Sequence, residues 1–356
     1  MRRFLALLLT AAVLWSMAAC GSAGAETAKD DAPAAPAAVP KTSEAYPRKE
    51  ISMIIPYGAG GTTDLVGRRF AAALEKQLGQ AVVIQNIGGA SGSIGAKAAL
   101  DAAPDGYTVL FTADSLGTQR VMGISQMSYD DFSPIAVVAN DPKVIVVAKG
   151  SPYETIGDLL DDIQAHPDRI QMSYTGPGGS GHVQALIMNR FGYSPALTAY
   201  AGGSDCLAAL LGGQVAFTNS NYSTVTAYLE SGDLKALAVC STQPLPGLPD
   251  VPTLASVIPG SDELMDIPYT PLSLLVDRDV PEEVRETLSA AAKAALQDEE
   301  LNRWLEENCI DKLYEKYTTP EEMRSFFDRW ESTVSWLLYD AGATVNSPED
   351  FGIPRP

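Results

Sequence analysis

The sequence predicts an α/β protein built as two lobes, each a mainly parallel sheet flanked by helices. Three observations predict it. Short segments rich in β-branched and apolar residues alternate with longer amphipathic ones, the pattern of βαβ units. The alternation runs twice, with a fresh series beginning after Pro134. Beyond a low-complexity N-terminal part about 310 residues remain, more than one hydrophobic core usually serves, so the chain should divide.

In chain order, the first element is a targeting segment. Arg2 and Arg3 precede an apolar run from Phe4 to Ala19 that ends in small residues. This describes a secretory signal peptide over residues 1–19. The run is about 16 residues, short of the ~20 that a spanning helix needs. Cys20 follows Met17-Ala18-Ala19 and precedes Gly21, which resembles the lipobox of bacterial lipoproteins and implies that Cys20 is acylated. Residues 20–45 are rich in Ala, Pro and charge with almost nothing to bury, hence a disordered linker. As a flexible coil its roughly 25 residues would reach about 25–30 Å, holding the folded part near a membrane surface.

The folded part opens with a strand at Ile51–Pro56, a helix at Asp64–Leu78, a strand at Ala81–Gln85, a helix at Ile94–Ala102 and a strand at Thr108–Thr112. The second series has strands at Ile135–Ala139 and Val144–Ala148, a helix at Ile156–Ala165, a strand at Ile170–Tyr174 and a helix at Val183–Phe191. An apolar pair, Leu207–Leu211 and Val215–Thr218, precedes a helix at Thr224–Glu230 and a strand at Ala236–Cys240. Thr242–Leu254 is punctuated by proline and excluded from regular structure. Two C-terminal helices, Pro281–Gln297 and Pro320–Leu338, begin with a proline followed by Glu-Glu, which suits a helix N-terminus.

Charge narrows the function. The formal net charge is −19, and loss of Arg2 and Arg3 with the signal makes it −21. Nucleic acid is excluded as a partner, because its binding depends on Lys and Arg at phosphates. A small anion is not, since local backbone dipoles can outweigh net charge. Cys206, Cys240 and Cys309 have no metal-ligand spacing, so neither a metal nor a cofactor is expected. Being odd in number they cannot all pair; a Cys206–Cys240 bridge is open to an exported chain, with unpaired, half-buried thiols the main expectation.

The chemistry sits in glycine-rich turns. Gly58-Ala59-Gly60-Gly61-Thr62-Thr63-Asp64 follows a strand and opens a helix, where free N–H groups and the helix dipole attract an anion. It lacks the Lys of a P-loop, and Thr63 replaces the third Gly of a dinucleotide fingerprint. Three further turns have the same context: Asn86–Leu100, Ser173–Leu186 and Ala199–Leu210. Turns at strand C-termini line the crevice of an open α/β sheet. Two such lobes facing one another would aim several helix N-termini into one cleft, an anion clamp.

The segments "IIPYGAGGTTDLVGRR", "GASGSIGA", "AAPDGYTVLFT", "YDDFSPIAVVA", "TAYAGGSDCLAALLGGQV", "SGDLKALAV" and "LPDVPTLAS", in this order, resemble the extracytoplasmic solute receptors of tripartite tricarboxylate transporters, the TctC or Bug type. The match runs from about Tyr46 to the C-terminus. The resemblance implies a periplasmic-binding-protein (Venus flytrap) fold, with residues 46–147 plus 270–356 as one lobe and 148–269 as the other. It implies a monomeric receptor that binds a small carboxylate and hands it to a membrane permease, working outside the cytoplasm on a lipid anchor at the membrane. The implied ligand contacts are Tyr57, Gly60, Gly61, Thr63, Asp64, Gly89 and Ser91 of the first lobe and Thr175, Gly179, Ser180 and His182 of the second, with Ser115 and Asn219 beside them. Asp64 and His182 each have a second role open, as caps of their own helices.

Two departures stand out. Ile87-Gly88 occupies the place where the family commonly has Arg-Pro, so a side-chain cation near the ligand is expected to be absent. Ile267–Val276 replaces a Trp-containing segment before the C-terminal helices, which should alter the hinge or cleft wall. An enzyme is the rival class. With only His166 and His182 in the chain, a Ser–His site would have to use His182, and that residue stands where Gly179-Ser180-Gly181 needs the last Gly of a nucleophile elbow. A receptor feeding a sensor kinase instead of a permease would carry the same residues.

Overall fold

The computed structural model describes residues 46–356. The expected signal segment, the expected lipidation site Cys20 and the expected linker to residue 45 lie outside the described residues. Among the described residues, ten strands form two five-stranded sheets. They are β1 (Ile51–Ile55), β2 (Val82–Asn86), β3 (Thr108–Thr112), β4 (Phe132–Asn140), β5 (Lys143–Ala148), β6 (Gln171–Tyr174), β7 (Ala196–Ala199), β8 (Phe217–Asn221), β9 (Leu234–Val239) and β10 (Pro271–Asp277). The first sheet has the order β2-β1-β3-β10-β4 and the second β7-β6-β8-β5-β9. In each, four strands run one way and the fourth in the order runs against them: β10 is antiparallel to β3 and β4, and β5 is antiparallel to β8 and β9.

Those two reversed strands are the ones that cross between lobes. The chain leaves the first sheet after β4, passes Asp141 and Pro142, and enters the middle of the second as β5; it returns as β10. The crossover at Asp141-Pro142 therefore precedes the boundary expected at residue 147, and Lys143–Ala148 belongs to the second sheet. Ile267–Val276 supplies most of β10, a central strand that the sequence reading did not assign. Its core Pro271–Val276 is buried on both faces, and such a strand shows a continuous apolar run in place of the alternation that marks an exposed one. The four-residue β7 was likewise unassigned.

The helices on the sheets are α1 (Thr62–Leu78), α2 (Ser93–Leu100), α3 (Ile156–Ala165), α4 (Ser180–Arg190), α5 (Gly203–Leu211) and α6 (Tyr222–Glu230), then the short α7 (Leu254–Val257) and α8 (Asp262–Met265). The C-terminal set is α9 (Glu282–Ala295), α10 (Glu299–Glu307) and α11 (Pro320–Asp340). Pro320 stands at the first turn of α11 under a Thr319–Glu322 capping box, whereas Pro281 is one place earlier, at the N-cap of α9. No helix among the described residues is long and apolar enough to cross a membrane.

Two features tie the lobes together. A buried apolar cluster runs from Leu110 and Val137 of the first lobe through Ile145 and Met172 of the second, with Phe326, Phe327 and Trp330 of α11 packed into it. The crossover is polar. Asp141, fully buried, accepts from Thr62 Oγ1 at the start of α1 and from Ser223 Oγ in α6. Asn221 Nδ2 donates to the Asp141 carbonyl at 2.9 Å and to Thr270 Oγ1 at 3.0 Å, joining both crossings. Burial pushes the Asp141 carboxyl up to about 6, against the pull of its Ser223 and Thr62 hydrogen bonds. Cys206 and Cys240 are buried free thiols, and Cys309 is a half-buried one.

Candidate ligand-binding cleft

A cavity of about 50 Å³ lies between the lobes, at the C-terminal ends of β1, β3, β6, β7 and β8. That is more room than one water needs. The first residues of four helices line it: Gly61 to Thr63 at α1, Ser180 and Gly181 at α4, Gly202 and Gly203 at α5, and Asn221 and Thr224 at α6. The expected clamp of helix N-termini is present, each contributing unsatisfied N–H groups and the positive end of its dipole.

The loops before α1 and α4 have the same build. Gly58-Ala59-Gly60-Gly61-Thr62-Thr63-Asp64 and Gly176-Pro177-Gly178-Gly179-Ser180-Gly181-His182 share the pattern Gly-x-Gly-Gly-hydroxyl-x-acceptor. Gly60 and Gly178 both adopt the left-handed region, with φ of 81° and 78°. Gly61 and Gly179 both form the N-cap in extended conformation. The last residue of each reaches back to the third: Gly60 N–H donates to Asp64 Oδ2 at 2.9 Å, and Gly178 N–H donates to His182 Nδ1 at 3.1 Å. This repeat was present in the sequence and went unread there, because the two copies share only three glycines.

Asp64 and His182 thus spend their side chains on their own loops, and neither lines the cavity. Asp64 also accepts from Arg68 Nε at 3.0 Å and Asn86 Nδ2 at 2.9 Å. Burial acts to raise its carboxyl, but the donors from Arg68, Gly60 and Asn86 outweigh that and hold it below the ordinary range. Burial pulls the His182 imidazole down, which keeps Nδ1 free to accept. Both helices start earlier than expected, at Thr62 and Ser180, which places Asp64 and His182 inside the first turn and not at the cap.

Of the other expected contacts, Tyr57, Gly61, Thr63, Thr175, Ser180 and Asn219 line the cavity. Tyr57 Oη is buried close to Thr112 and Ser115 without a well-formed hydrogen bond, and burial holds its phenol protonated as a donor. Asn219 Nδ2 donates to Gln184 Oε1 at 2.7 Å, bracing α4. Gly60, Gly89, Ser91, Ser115 and Gly179 do not line the cavity; they stand around it.

Ser91 belongs to the rim, where the lobes touch. Ser91 Oγ donates to the Pro177 carbonyl at 3.0 Å, Thr118 Oγ1 to the Gly178 carbonyl at 3.0 Å, and Ser204 Oγ to the Ala59 carbonyl at 3.1 Å. The Ser180 N–H donates to Asp114 Oδ2. Gly176 has φ of 107°, a conformation that side-chain-bearing residues rarely adopt, and a Cβ there would lie 2.9 Å from Ser91 Oγ.

One expectation is overturned. A side-chain cation does line the cavity: Lys143, 4 % exposed. It is the first residue of β5. Because β5 runs against its neighbours, its N-terminal end meets their C-terminal ends, with Lys143 paired to Asn221. Lys143 Nζ donates to Asn221 Oδ1 at 3.2 Å and to the Asn219 carbonyl at 3.4 Å. Asp114, 6 % exposed and two residues past the end of β3, is the acidic residue lining the same cavity. Burial raises its carboxyl, with Lys143 and then the Ser180 N–H pulling it back.

Two lobes joined by paired crossings, with a cavity between them lined by the N-termini of four helices, define a two-lobed solute-binding protein. The description "Tripartite tricarboxylate transporter family receptor" matches residues 66–325, and the chain belongs to that family, one of solute-binding receptors and not of enzymes. Protein BugT of Bordetella pertussis is 29% identical over 306 residues, covering 83% of this chain and 92% of BugT. The periplasmic binding protein BugD superposes with a TM-score of 0.77 at 27% identity, over 84% of this chain and 99% of BugD. MatC of Rhodopseudomonas palustris, solved with bound malate, gives 0.73 at 25% identity over 81% of this chain and all of MatC. R. palustris Rpa4515, solved with adipate, gives 0.76 at 25% identity over 84% of this chain and 99% of that one.

Proposed function

We propose that the protein is an extracytoplasmic receptor that closes on a small carboxylate between its lobes and delivers it to a tripartite tricarboxylate-type permease, tethered to the outer face of the membrane through acylated Cys20. The convergence of four helix N-termini on one interlobe cavity carries the carboxylate assignment. The malate and adipate complexes of its structural relatives support the ligand class. Gly61, Thr63, Tyr57, Thr175, Ser180 and Asn219 are the proposed contacts. The rim contacts made by Ser91, Thr118, Asp114 and Ser204 describe the closed form that a permease would recognise. Asp141-Pro142 and the return into β10 serve as the hinge.

A thermal-shift screen of mono-, di- and tricarboxylates tests the binding. A ligand at a hundred times its Kd stabilises the folded state by about 2.7 kcal/mol, enough for a clear rise in Tm. If no small acid raises the Tm, the carboxylate-receptor reading fails.

A further inference from the structure

The cavity is lined by one buried basic and one buried acidic side chain that form no ion pair with each other, and burial pulls the Lys143 ammonium down as it pushes the Asp114 carboxyl up. Lys143 Nζ has three N–H donors and two long hydrogen bonds, at 3.2 and 3.4 Å, to uncharged acceptors. Among the described residues no carboxylate oxygen lies within the 4.0 Å of an ion pair. A buried ammonium without an ion-pair partner is costly, which is why burial pulls Lys143 down, and an arriving anion would offset that cost. Asp114 faces the same cavity from the opposite lobe, its Oδ2 holding the Ser180 N–H. Its carboxylate has further lone pairs for a second donor.

Each group is the chief opposite charge acting on the other, yet they stand too far apart to touch. Both line the same interlobe cavity. A dicarboxylate bridging the two would satisfy Lys143 and set its second carboxylate against Asp114, a repulsion stronger in a buried site than in bulk water. A zwitterion satisfies both ends and leaves the site neutral.

Building on the receptor reading above, we infer that the cleft selects a small amino acid, with the ligand carboxylate on Lys143 and the helix N-termini and the ligand ammonium on Asp114. The two residues sit on opposite lobes, so the amino acid is itself the bridge that favours closure.

The test is isothermal titration calorimetry of the full chain with matched acids that differ at one carbon: alanine, lactate and propionate; aspartate, malate and succinate; glutamate, 2-hydroxyglutarate and glutarate. Within the set that binds, the amino member should be tighter than both analogues by at least about tenfold, as expected when a buried charge loses its partner. Lys143→Met should weaken all members by at least about tenfold, and Asp114→Asn should weaken the amino member while strengthening the unsubstituted one. Circular dichroism checks that both variants fold, and the comparison of acids on the unaltered protein needs neither. Equal or tighter binding of the hydroxy or unsubstituted acids would overturn the inference and leave the carboxylate receptor standing, as would undiminished binding by Lys143→Met. Absence of binding by every acid would overturn both.

Discussion

Asp114 of the first lobe places its carboxylate on the backbone N–H of Ser180, the first residue of α4 in the second lobe. The protein thus supplies its own anion to one of the helix N-termini that line its cleft. The contact ties the two lobes together at one side of the cavity and leaves the carboxylate with further lone pairs for a second donor. Asp114→Ala removes an interlobe hydrogen bond to a charged acceptor, of a kind that contributes about 1.5–3 kcal/mol. Without added acid the variant should open, read as a larger radius of gyration by small-angle X-ray scattering. A radius equal to that of the unaltered protein would show that this contact does not hold the lobes.

The loop before α4 should be as sensitive. Gly178 has φ of 78°, and a Cβ there would run into the Thr118 side chain. Gly178→Ala therefore costs about 1–2 kcal/mol in backbone strain alone and blocks the rim contact. We expect at least about tenfold weaker binding of whichever acid raises the Tm, since 1.4 kcal/mol is one decade in affinity. Unchanged affinity would mean that closure tolerates a wider rim.

Asp64 should act on stability through its loop. Its carboxylate holds Gly60, Arg68 and Asn86, and Asp64→Asn at neutral pH should cost about 1–3 kcal/mol in urea unfolding. The folded-state pKa is depressed, so this contribution is present above the unfolded value of about 3.9 and is lost as pH falls through the folded one. The difference between the two proteins should accordingly shrink below about pH 4. A gap that persisted in acid would point to packing, not charge.

Asp141 should show the opposite sign. Its folded pKa is raised to about 6, so its contribution is fully present below the unfolded value near 3.9 and is lost as pH rises through 6. Asp141→Asn keeps the side-chain shape without the charge. Between pH 4 and 7 the unaltered protein should lose up to about 3 kcal/mol relative to this variant, measured by denaturant titration across that range. A constant difference would indicate that Asp141 does not change protonation at the crossover.

The proposed lipid tether is tested by fractionation. Cys20→Ser should move the protein from the membrane to the soluble fraction and abolish labelling by a radioactive fatty acid. Continued membrane association of the variant would assign the attachment to another segment.

Much of the site was legible because it is local. A glycine-rich turn between a strand and a helix reads directly from a few consecutive residues, and all four such turns occur where the sequence put them, three of them lining the cavity. The turn Asn86–Leu100 is at the rim because Ser91 meets Pro177 of the other lobe, a contact between residues 86 positions apart. Whether Asp64 and His182 point outward or back was also undecidable from composition. Each has the geometry of a first-turn acceptor, and only the backbone path around Gly60 and Gly178 sets the direction.

The sequence by itself determined the alternation of elements, the two-lobed division and the family, because hydrophobic period, turn residues and ordered motifs are properties of short segments. The tertiary structure alone decided the charges of the cleft. Lys143 reaches the ligand space because β5 enters the second sheet against the direction of its neighbours, and Asp114 faces it from a lobe whose cavity edge is set by β3. Strand direction and lobe closure arise from long-range pairing between segments far apart in the chain. No local pattern in residues 114 or 143 encodes that they share one cavity.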